Sequence, residues 1–436
     1  MKLAIPLVLT QAGQIIVHLV DNAMVGRVGT TELAAAAFAN SIFMTVMIFG
    51  IGIFLGITPL IGHASGAKNN TKVAETIKNG LILAAFIVIF LTAISWTLTY
   101  LMPYMKQPTE VYQAAVPYYR LLTLSLIPFL VFILFKQIGE GIGNTIIAMI
   151  ATIASNVLNI ILNYVLIFGK WGFPEMGLVG AGYATFISRI AMALLIVIGL
   201  IVSKKTGFYL KLVPVAKASI QGIIHTFKIG LPIAGQMVVE ISSFALGAIM
   251  MGWIGDVQLA AHQVALGMAS FTFMIANGVA MASTIRVSYQ LGRRDFGSME
   301  RVAMSAVHIV LAYMLFCGVL FLLFRNELPR IFSPDLPVIA QAATLLIIAA
   351  VFQVFDGLQV ICLGILRGFA DVKVPMIIAT ISYIFIGIPV SYIAAFTFNL
   401  GAEGIWYGFV VGLATAGILL AFRIRKKIRE VESENQ

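Results

Sequence analysis

The sequence predicts an all-α polytopic membrane protein with twelve transmembrane helices in two six-helix lobes related by a pseudo-twofold axis. Three observations predict this fold: a strongly apolar composition, apolar runs of membrane-spanning length, and an internal repeat. The chain of 436 residues is 60% hydrophobic and only 11% charged, whereas a soluble domain carries about 25% charged residues. Disorder is excluded by the same numbers, because disordered chains are poor in hydrophobic residues and rich in charge.

The apolar runs indicate helices rather than a barrel. Only helices and closed barrels satisfy every backbone polar group inside lipid, and the runs over 81–96 and 309–324 lack the alternation of a barrel strand. Segments of roughly 20 residues cross the ~30 Å hydrocarbon core. Twelve such segments are predicted near 4–25, 33–60, 80–102, 116–138, 146–168, 180–202, 230–251, 258–288, 303–324, 339–364, 375–397 and 404–422.

The distribution of Lys and Arg predicts the orientation. Twenty of the 28 basic residues fall before the first span, after spans two, six, eight and ten, or in the tail beyond span twelve. The opposite side has only Arg27, Lys106, Lys170, Arg325 and Arg330. Because cytoplasmic loops are enriched in Lys and Arg, both termini are predicted to be cytoplasmic. The net charge of +10 therefore needs no nucleic-acid partner.

The second half of the chain repeats the first at a shift of 226 residues, with short stretches at 227 and 224. An ordered series of matches is hard to obtain by chance, although each pair alone means little. The matched pairs are Pro6 with Pro232, Gly29 with Gly255, Gly52 with Gly278, Thr58 with Thr284, Gly66 with Gly292, Pro108 with Pro334, Gly141 with Gly368, Gly177 with Gly401, Gly180 with Gly404, and Tyr183 with Tyr407.

The repeat predicts the domain organisation: an N-lobe over 1–203 with helices 1–6, a cytoplasmic linker over 204–229, a C-lobe over 230–422 with helices 7–12, and a basic cytoplasmic tail over 423–436. Because six spans per repeat is an even number, the halves share one orientation and an axis along the membrane normal. This is typical of a transporter with a cavity between two lobes. Duplication also builds channels and membrane enzymes, so the architecture favours transport without excluding these classes.

Polar side chains interrupt several predicted spans at helical spacing. Their presence in the membrane requires an explanation, because burial of a polar group in lipid is unfavourable. A carboxylate in mid-membrane costs about 2.5–3.5 kcal/mol on insertion scales. In span one, spacings of 3, 4 and 3 place four polar side chains on one helical face, which favours a wet cavity. These residues are Gln11, Gln14, His18 and Asp21.

Spans seven and ten carry similar stripes near mid-depth. Glu240 has no Lys or Arg within ten residues, so its charge is removed by protonation, compensated by a bound cation such as Na⁺, or paired across helices. Asp356 lies in an otherwise apolar run and raises the same question. The accompanying residues are Gln236 and Ser243 in span seven, and Gln353 and Gln359 in span ten.

Asparagines in span five are further candidates, because their carbonyl oxygens suit a hard cation. Asn159 and Asn163 share one helical face, and Thr185 in span six is a weaker candidate of the same type. Asparagine also joins transmembrane helices by hydrogen bonds, so both interpretations stay open. The sequence has no metal-ligand spacing among its five histidines, no phosphate-binding GxxxxGK[ST] motif and no cluster of nucleophiles. An enzyme is therefore not predicted, and no cofactor is expected.

Long stretches of the sequence resemble the multidrug and toxic compound extrusion (MATE) family, in its bacterial NorM-like branch. The strongest is GLPIAGQMVVEISSFALGAIMMGWIGDVQLAAHQVAL over 230–266, followed by STIRVSYQLG over 283–292 and FDGLQVICLGILRGFAD over 355–371. In the first half, VDNAMVGRVGTTELAA over 20–35 and NVLNIILNYVLIFGKWG over 156–172 are similar to the corresponding family segments.

The resemblance implies a secondary active antiporter of the bacterial inner membrane that exports organic cations in exchange for Na⁺ or H⁺ by alternating access. It implies function as a monomer among membrane lipids. It assigns a C-lobe cation site to Glu240 and Asp356, and N-lobe positions to Asp21, Asn159, Asn163 and Thr185. One departure is visible: a tyrosine common in the family four residues before the helix-ten aspartate is Phe352 here.

A lipid-linked oligosaccharide flippase of the same wider superfamily is the alternative. Such a protein should line its cavity with several Lys or Arg side chains for the pyrophosphate. The sequence offers only Arg120, Lys136 and Arg189, predicted near the ends of their spans. This scarcity favours the drug and cation antiporter.

Overall fold

The protein is described by a computed structural model over residues 3–433. The side chains of Ile15, Ile16, His18 and Asn22 lie outside this description, and so does the predicted cavity position of His18. The last three residues of the predicted tail lie outside it too. Within the described residues there are twelve helices long and apolar enough to cross a membrane. The predicted all-α fold with twelve spans is confirmed, and the protein is a multi-pass membrane protein.

The described chain divides into two compact units between Ala234 and Gly235. The predicted linker over 204–229 contains helix α8 and the start of α9. The exact lobe limits stay a prediction. The helices before this division are α1 (Ala4–Val25), α2 (Thr30–Leu55), α3 (Ile57–Gly66), α4 (Asn70–Leu101), α5 (Thr109–Gly141), α6 (Ile146–Ile167), α7 (Gly177–Val202) and α8 (Lys204–Leu212), with a 3₁₀ turn at Met102–Met105.

The division falls inside α9, just after Pro232. The remaining helices are α9 (Ile220–Ile254), α10 (Asp256–Gly292), α11 (Phe296–Leu323), α12 (Leu336–Gly368), α13 (Lys373–Thr380), α14 (Ile388–Tyr392) and α15 (Gly401–Ser433), with a 3₁₀ turn at Leu328–Ile331. Two π-helical segments, Ile381–Gly387 and Ile393–Thr397, flank α14, so that α13 through the second π-helical segment forms one span.

Helices α5 and α12 are the central helices of their units. Helix α5 packs against α2, α4 and α7, and α12 packs against α10, α11 and α15. The outward faces of surrounding helices carry large apolar side chains that are open to the surroundings, for example Phe86, Ile89 and Phe90 on α4. A contiguous apolar exterior of this kind is stable in lipid and not in water.

The sequence repeat recurs as equivalent contacts within each unit. Thr58 donates a hydrogen bond to the Gln137 carbonyl at 3.2 Å, and its repeat partner Thr284 donates to the Gly364 carbonyl at 2.6 Å. The repeat also reproduces local turns. Lys68 and Arg294, at equivalent positions after a helix, both adopt left-handed backbone angles.

Helix starts are conserved between the repeats in the same way. The Asn69 side chain accepts a hydrogen bond from the Lys72 backbone at 2.9 Å, and Asp295 accepts one from the Ser298 backbone at 3.1 Å. Asn and Asp are both preferred at a helix N-terminus because their oxygens satisfy an unpaired backbone N–H group. The hydrogen bonds from Ser298 hold the pKa of Asp295 below its usual range. The two units are therefore built on one scaffold with locally different side chains.

The central helices depend on two glycines at equivalent positions. A Cβ atom on Gly141 would lie 2.7 Å from Ile61 Cβ, and one on Gly368 would lie 2.8 Å from Val287 Cβ. We expect Gly141→Val and Gly368→Val each to destabilise the protein by about 1–3 kcal/mol through overpacking. The control Gly267→Val lies on an exposed face with no atom within 4 Å. Thermal unfolding in detergent measures the effect, and equal unfolding temperatures for all three variants would contradict it.

Candidate functional site

The first unit contains a chain of polar side chains between α1, α6 and α7. Asn163 donates one amide hydrogen to Asp21 Oδ1 at 2.5 Å and another to Asn159 Oδ1 at 3.1 Å. Asn159 in turn donates to Ser188 Oγ at 3.3 Å. Three of the predicted residues are therefore brought together. Asn163 Oδ1 is buried without a hydrogen bond in the described part of the chain, which leaves an acceptor for a proton donor or a cation.

Arg189 lies at the middle of α7, which corrects the prediction that it lies near the end of its span. Its guanidinium donates to Ser125 Oγ at 2.7 Å and stacks between the Phe43 and Phe129 rings, 5.0 and 4.8 Å from their centroids. It is also near enough to Asp21 for electrostatic attraction. Cation–π contacts and the hydroxyl reduce the cost of a charge at this depth.

Among the described contacts, the other candidates of the first unit contribute no side chain to this chain of hydrogen bonds. Gln11 is buried on α1 and Gln14 is partly exposed. Thr185 contributes its backbone carbonyl, which accepts a hydrogen bond from Ser188 Oγ at 3.0 Å. Asn156 joins α6 to α1 by donating to the Gly13 carbonyl at 2.9 Å, which is a structural role.

In the second unit, Glu240 is connected to the end of α12 through Gln236. Gln236 donates to Glu240 Oε2 at 3.0 Å and accepts a hydrogen bond from Arg367 at 2.9 Å. Arg367 attracts Glu240 electrostatically, but no contact ion pair joins them among the described residues. Arg367 Nε is buried without an acceptor there, so the arginine has an unused donor. Sequence reasoning placed Arg367 in a loop and missed this contact.

Asp356 lies on the face of α12 that carries Gln353 and Gln359. All three side chains are buried, and Asp356 is near enough to Glu240 for the two charges to repel each other. Gln353 donates to Thr272 Oγ1 at 2.6 Å, while its own oxygen has no hydrogen bond among the described residues. Neither amide atom of Gln359 forms a hydrogen bond of 3.5 Å or shorter within the described chain, but the side chain lies close enough to Glu240 to interact with its carboxylate.

Aromatic rings pack beside these carboxylates. Phe352 contacts Phe244 and Trp406, with ring centroids 6.2 and 5.4 Å apart. Phe352 carries no hydroxyl, but Tyr383 in the π-helical segment Ile381–Gly387 lies near both Glu240 and Asp356. Its buried hydroxyl has no partner among the described residues. A phenol oxygen is thus present in the same buried region, contributed by a different span, without a hydrogen bond to either carboxylate.

More unpaired polar atoms line the same region of the second unit. His262 is fully buried, and both of its ring nitrogens lack hydrogen bonds to the rest of the described chain. Trp406 Nε1 is unpaired as well, and its ring packs edge-on to His262. Ser243, the third member of the predicted stripe on α9, is buried. A buried polar group left unpaired costs about 1–3 kcal/mol, so this concentration requires an explanation.

The profile of the MatE family matches residues 6–165 and again residues 232–393. The two matches begin at the repeat partners Pro6 and Pro232. The chain belongs to the MatE family. Its predicted resemblance to that family is confirmed.

Close relatives within the MatE family support the assignment over nearly the whole length. The multidrug resistance protein NorM of Photobacterium profundum is 31% identical over 433 residues, covering 98% of this chain and 94% of the relative. The multidrug resistance protein NorM of Vibrio cholerae is 30% identical over 428 residues, covering 97% and 94%.

Solved MATE structures share the fold. An outward-facing multidrug resistance MATE transporter of the MOP superfamily matches with a TM-score of 0.89 at 21% identity, over 99% of this chain and 96% of that one. A eukaryotic MATE transporter, AtDTX14, matches with a TM-score of 0.87 at 20% identity, over 100% and 97%. These structures support the arrangement of helices and not the chemistry of the site.

Replacement of the two glutamines of α12 should change the stability of the protein by different amounts. Gln359→Leu removes an amide that has no hydrogen bond of 3.5 Å or shorter in the described chain and interacts only with Glu240, so we expect nearly unchanged stability. Gln353→Leu removes the bond to Thr272 and should cost about 0.5–1.5 kcal/mol. Thermal unfolding in detergent tests both. If Gln359→Leu destabilises the protein as much as Gln353→Leu, then Gln359 has a structural partner and is not held for a ligand.

Proposed function

We propose that this protein is a secondary active efflux antiporter that exports organic cations and related drugs in exchange for Na⁺ or H⁺ by alternating access. One observation carries the proposal. Glu240 and Asp356 lie near the middle of α9 and α12, close enough to repel each other, and neither forms a contact ion pair among the described residues. Arg367 supplies one positive charge near two carboxylates, so a second positive charge is missing, and an exchanged cation supplies it. The names of the NorM relatives support a multidrug substrate range.

The unpaired oxygens suit a small cation. Besides the two carboxylates, the side-chain oxygens of Gln353 and Gln359 and the Tyr383 hydroxyl are buried without partners in the described region. A hard cation such as Na⁺ takes oxygen ligands, and a proton needs only one carboxylate. Neutralisation by either ion removes the repulsion between Glu240 and Asp356. Either ion therefore stabilises the site in the state that binds it.

Coupling follows from competition for these carboxylates. An exported organic cation is attracted by the same negative charges that bind Na⁺ or H⁺. Binding of the ion from outside promotes release of the substrate, and loss of the ion to the cytoplasm restores a negative site for new substrate. The ion and the substrate must bind the two conformations with different affinities, because a ligand with equal affinities shifts nothing. The aromatic rings beside the site offer flat surfaces for planar cations.

Arg367 is an internal competitor for the coupling ion. It already contacts Gln236, which donates to Glu240, and it has a buried Nε donor to spare. When the ion leaves, the arginine compensates Glu240 in its place. The positive charge that remains in the site is then part of the protein, so the carboxylate is never buried uncompensated.

Asp21 is proposed as a second coupling carboxylate, with a different charge balance. Arg189 attracts Asp21 in the first unit, so protonation of Asp21 leaves a net positive charge that disfavours a cationic substrate. The flippase alternative would use arginines to bind a pyrophosphate. Arg189 is instead engaged by two phenylalanine rings and Ser125, which favours the antiporter.

The proposal includes the cellular setting. We place the protein in the bacterial inner membrane with both termini in the cytoplasm, acting as a monomer on small molecules, without enzymatic activity or nucleic acid. The mechanism requires no bound cofactor, since the exchanged ion is itself a substrate.

Removal of either carboxylate should uncouple transport. We expect Glu240→Gln and Asp356→Asn to reduce efflux of ethidium, a planar organic cation, by at least about fivefold, the lower range of coupling between sites. Proteoliposomes with an imposed Na⁺ gradient, and then an imposed pH gradient, identify the coupling ion of the wild type. The control Glu300→Gln removes an exposed carboxylate on α11. Near-normal, gradient-dependent efflux from both variants would refute the assignment.

Replacement of Arg367 should increase the affinity for the coupling ion and decrease the maximal transport rate. Arg367→Gln leaves Glu240 without its compensating charge, so we expect half-maximal transport at lower Na⁺ or at higher pH. The maximal rate should fall, because ion release is no longer assisted. Arg286→Gln removes an exposed arginine of α10 and serves as the control. An unchanged ion dependence with a reduced rate would assign Arg367 a structural role only.

A further inference from the structure

The last helix continues beyond the membrane as an ordered extension. Helix α15 has 33 residues and is about 50 Å long, roughly 20 Å more than the hydrocarbon core. Its last part stays attached to the second unit, because Leu420, Ile424 and Ile428 are buried in one apolar cluster that includes Met299 and Phe369. Basic residues after Phe422 are therefore presented in a fixed orientation rather than on a free tail.

The five basic residues of this extension fall into two groups. Arg423 binds Asp371 at 2.6 Å, and Lys427 binds Glu430 at 2.8 Å, so these two are neutralised within the protein. The other three are Arg425, Lys426 and Arg429, which have no ion pair within 4 Å in the described chain.

The three unneutralised cations share one exposed helical face with an aromatic side chain. Phe422 is 61% exposed, and it lines a shallow surface depression together with Arg425, Lys426, Arg429, Glu430 and Ser433. The Glu430 carboxylate in this depression is paired with Lys427. The spacings of 3, 4 and 7 residues from Phe422 place the three cations on the same side of the helix. This is a stripe with an apolar end toward the membrane and a basic end away from it.

The depth of the stripe matches the lipid headgroup layer. Phe422 is the last residue of the apolar run, so it marks the edge of the hydrocarbon. Arg425 and Lys426 follow about 4.5–6 Å further along the axis, and Arg429 about 10.5 Å further. The headgroup layer is roughly 5–8 Å thick on each side. Arg425 and Lys426 are therefore level with the lipid phosphates, and Arg429 lies just beyond the headgroup layer.

We propose that this face of α15 is a binding site for the headgroup of an anionic phospholipid. Phe422 packs against the acyl end of the lipid, Arg425 and Lys426 bind the phosphate, and Arg429 attracts the negative surface from outside. Arginine suits the phosphate because its fork of N–H donors matches two oxygens. Free phosphate matches only the basic half of the stripe, which is why a lipid is the favoured occupant.

The test compares lipid retention by the full-length protein. Native mass spectrometry measures how much phosphatidylglycerol and phosphatidylcholine each variant retains from mixed micelles. In the variant with Arg425, Lys426 and Arg429 all changed to Gln, we expect the preference for phosphatidylglycerol to fall roughly a hundredfold, since each juxtamembrane cation contributes about fivefold. Addition of Phe422→Ser to this triple variant should weaken lipid retention further.

A matched control removes the same charge elsewhere. It carries glutamine at three exposed lysines, namely Lys211 in α8, Lys217 in the connection before α9 and Lys228 in the first part of α9. We expect this control to keep the wild-type preference, and inorganic phosphate at millimolar concentration to leave it intact. Equal loss in both triple variants would overturn the proposal in favour of bulk charge. Displacement of the lipid by inorganic phosphate, or an unchanged preference after loss of the three tail cations, would overturn it too.

Discussion

Glu240 and Asp356 bring two carboxylates into a region where ionisation of a side chain costs several kcal/mol, and the surrounding residues are arranged by that cost. Gln236 links Arg367 to Glu240 through two hydrogen bonds. The buried Tyr383 hydroxyl lies in the same region as both acids. None of these contacts neutralises the pair completely. In the proposed function, this incomplete compensation is what allows the site to bind an external positive ion, because a fully paired site would gain little from one.

The internal repeat supplies a scaffold, and the two copies carry different chemistry on it. The repeat shift pairs Glu240 with Gln14, and Asp356 with Phe129. The first unit instead places its acid at Asp21 and its base at Arg189. Equivalent glycines, caps and left-handed residues keep the helices in the same places. The polar residues therefore differ between the two units. The buried site of the first unit has one acid and one base, and that of the second unit has two acids near one base.

The apolar runs and the basic loops sufficed to predict the twelve spans, because lipid imposes a length and a composition on every crossing helix. Helical spacing was also enough to place Gln236 and Glu240 on one face. Arg189 was misplaced although the predicted span 180–202 nearly coincides with α7, and its contacts went unnoticed because its phenylalanine neighbours lie far away in sequence. Tyr383 gave no signal at all, since its position beside the carboxylates depends on an irregular turn. Tertiary contacts of this kind are not encoded in local periodicity.

The π-helical segment Ile381–Gly387 contains that irregular turn, with each hydrogen bond spanning one residue more than in an α-helix. Return of the extra residue to ordinary winding would rotate the following side chains by about 100° around the axis. Tyr383 lies within the segment, so such rewinding would swing its oxygen away from the acids without breaking the rest of the span. A change between π-helical and α-helical winding would thus shift the register of this span by a single residue.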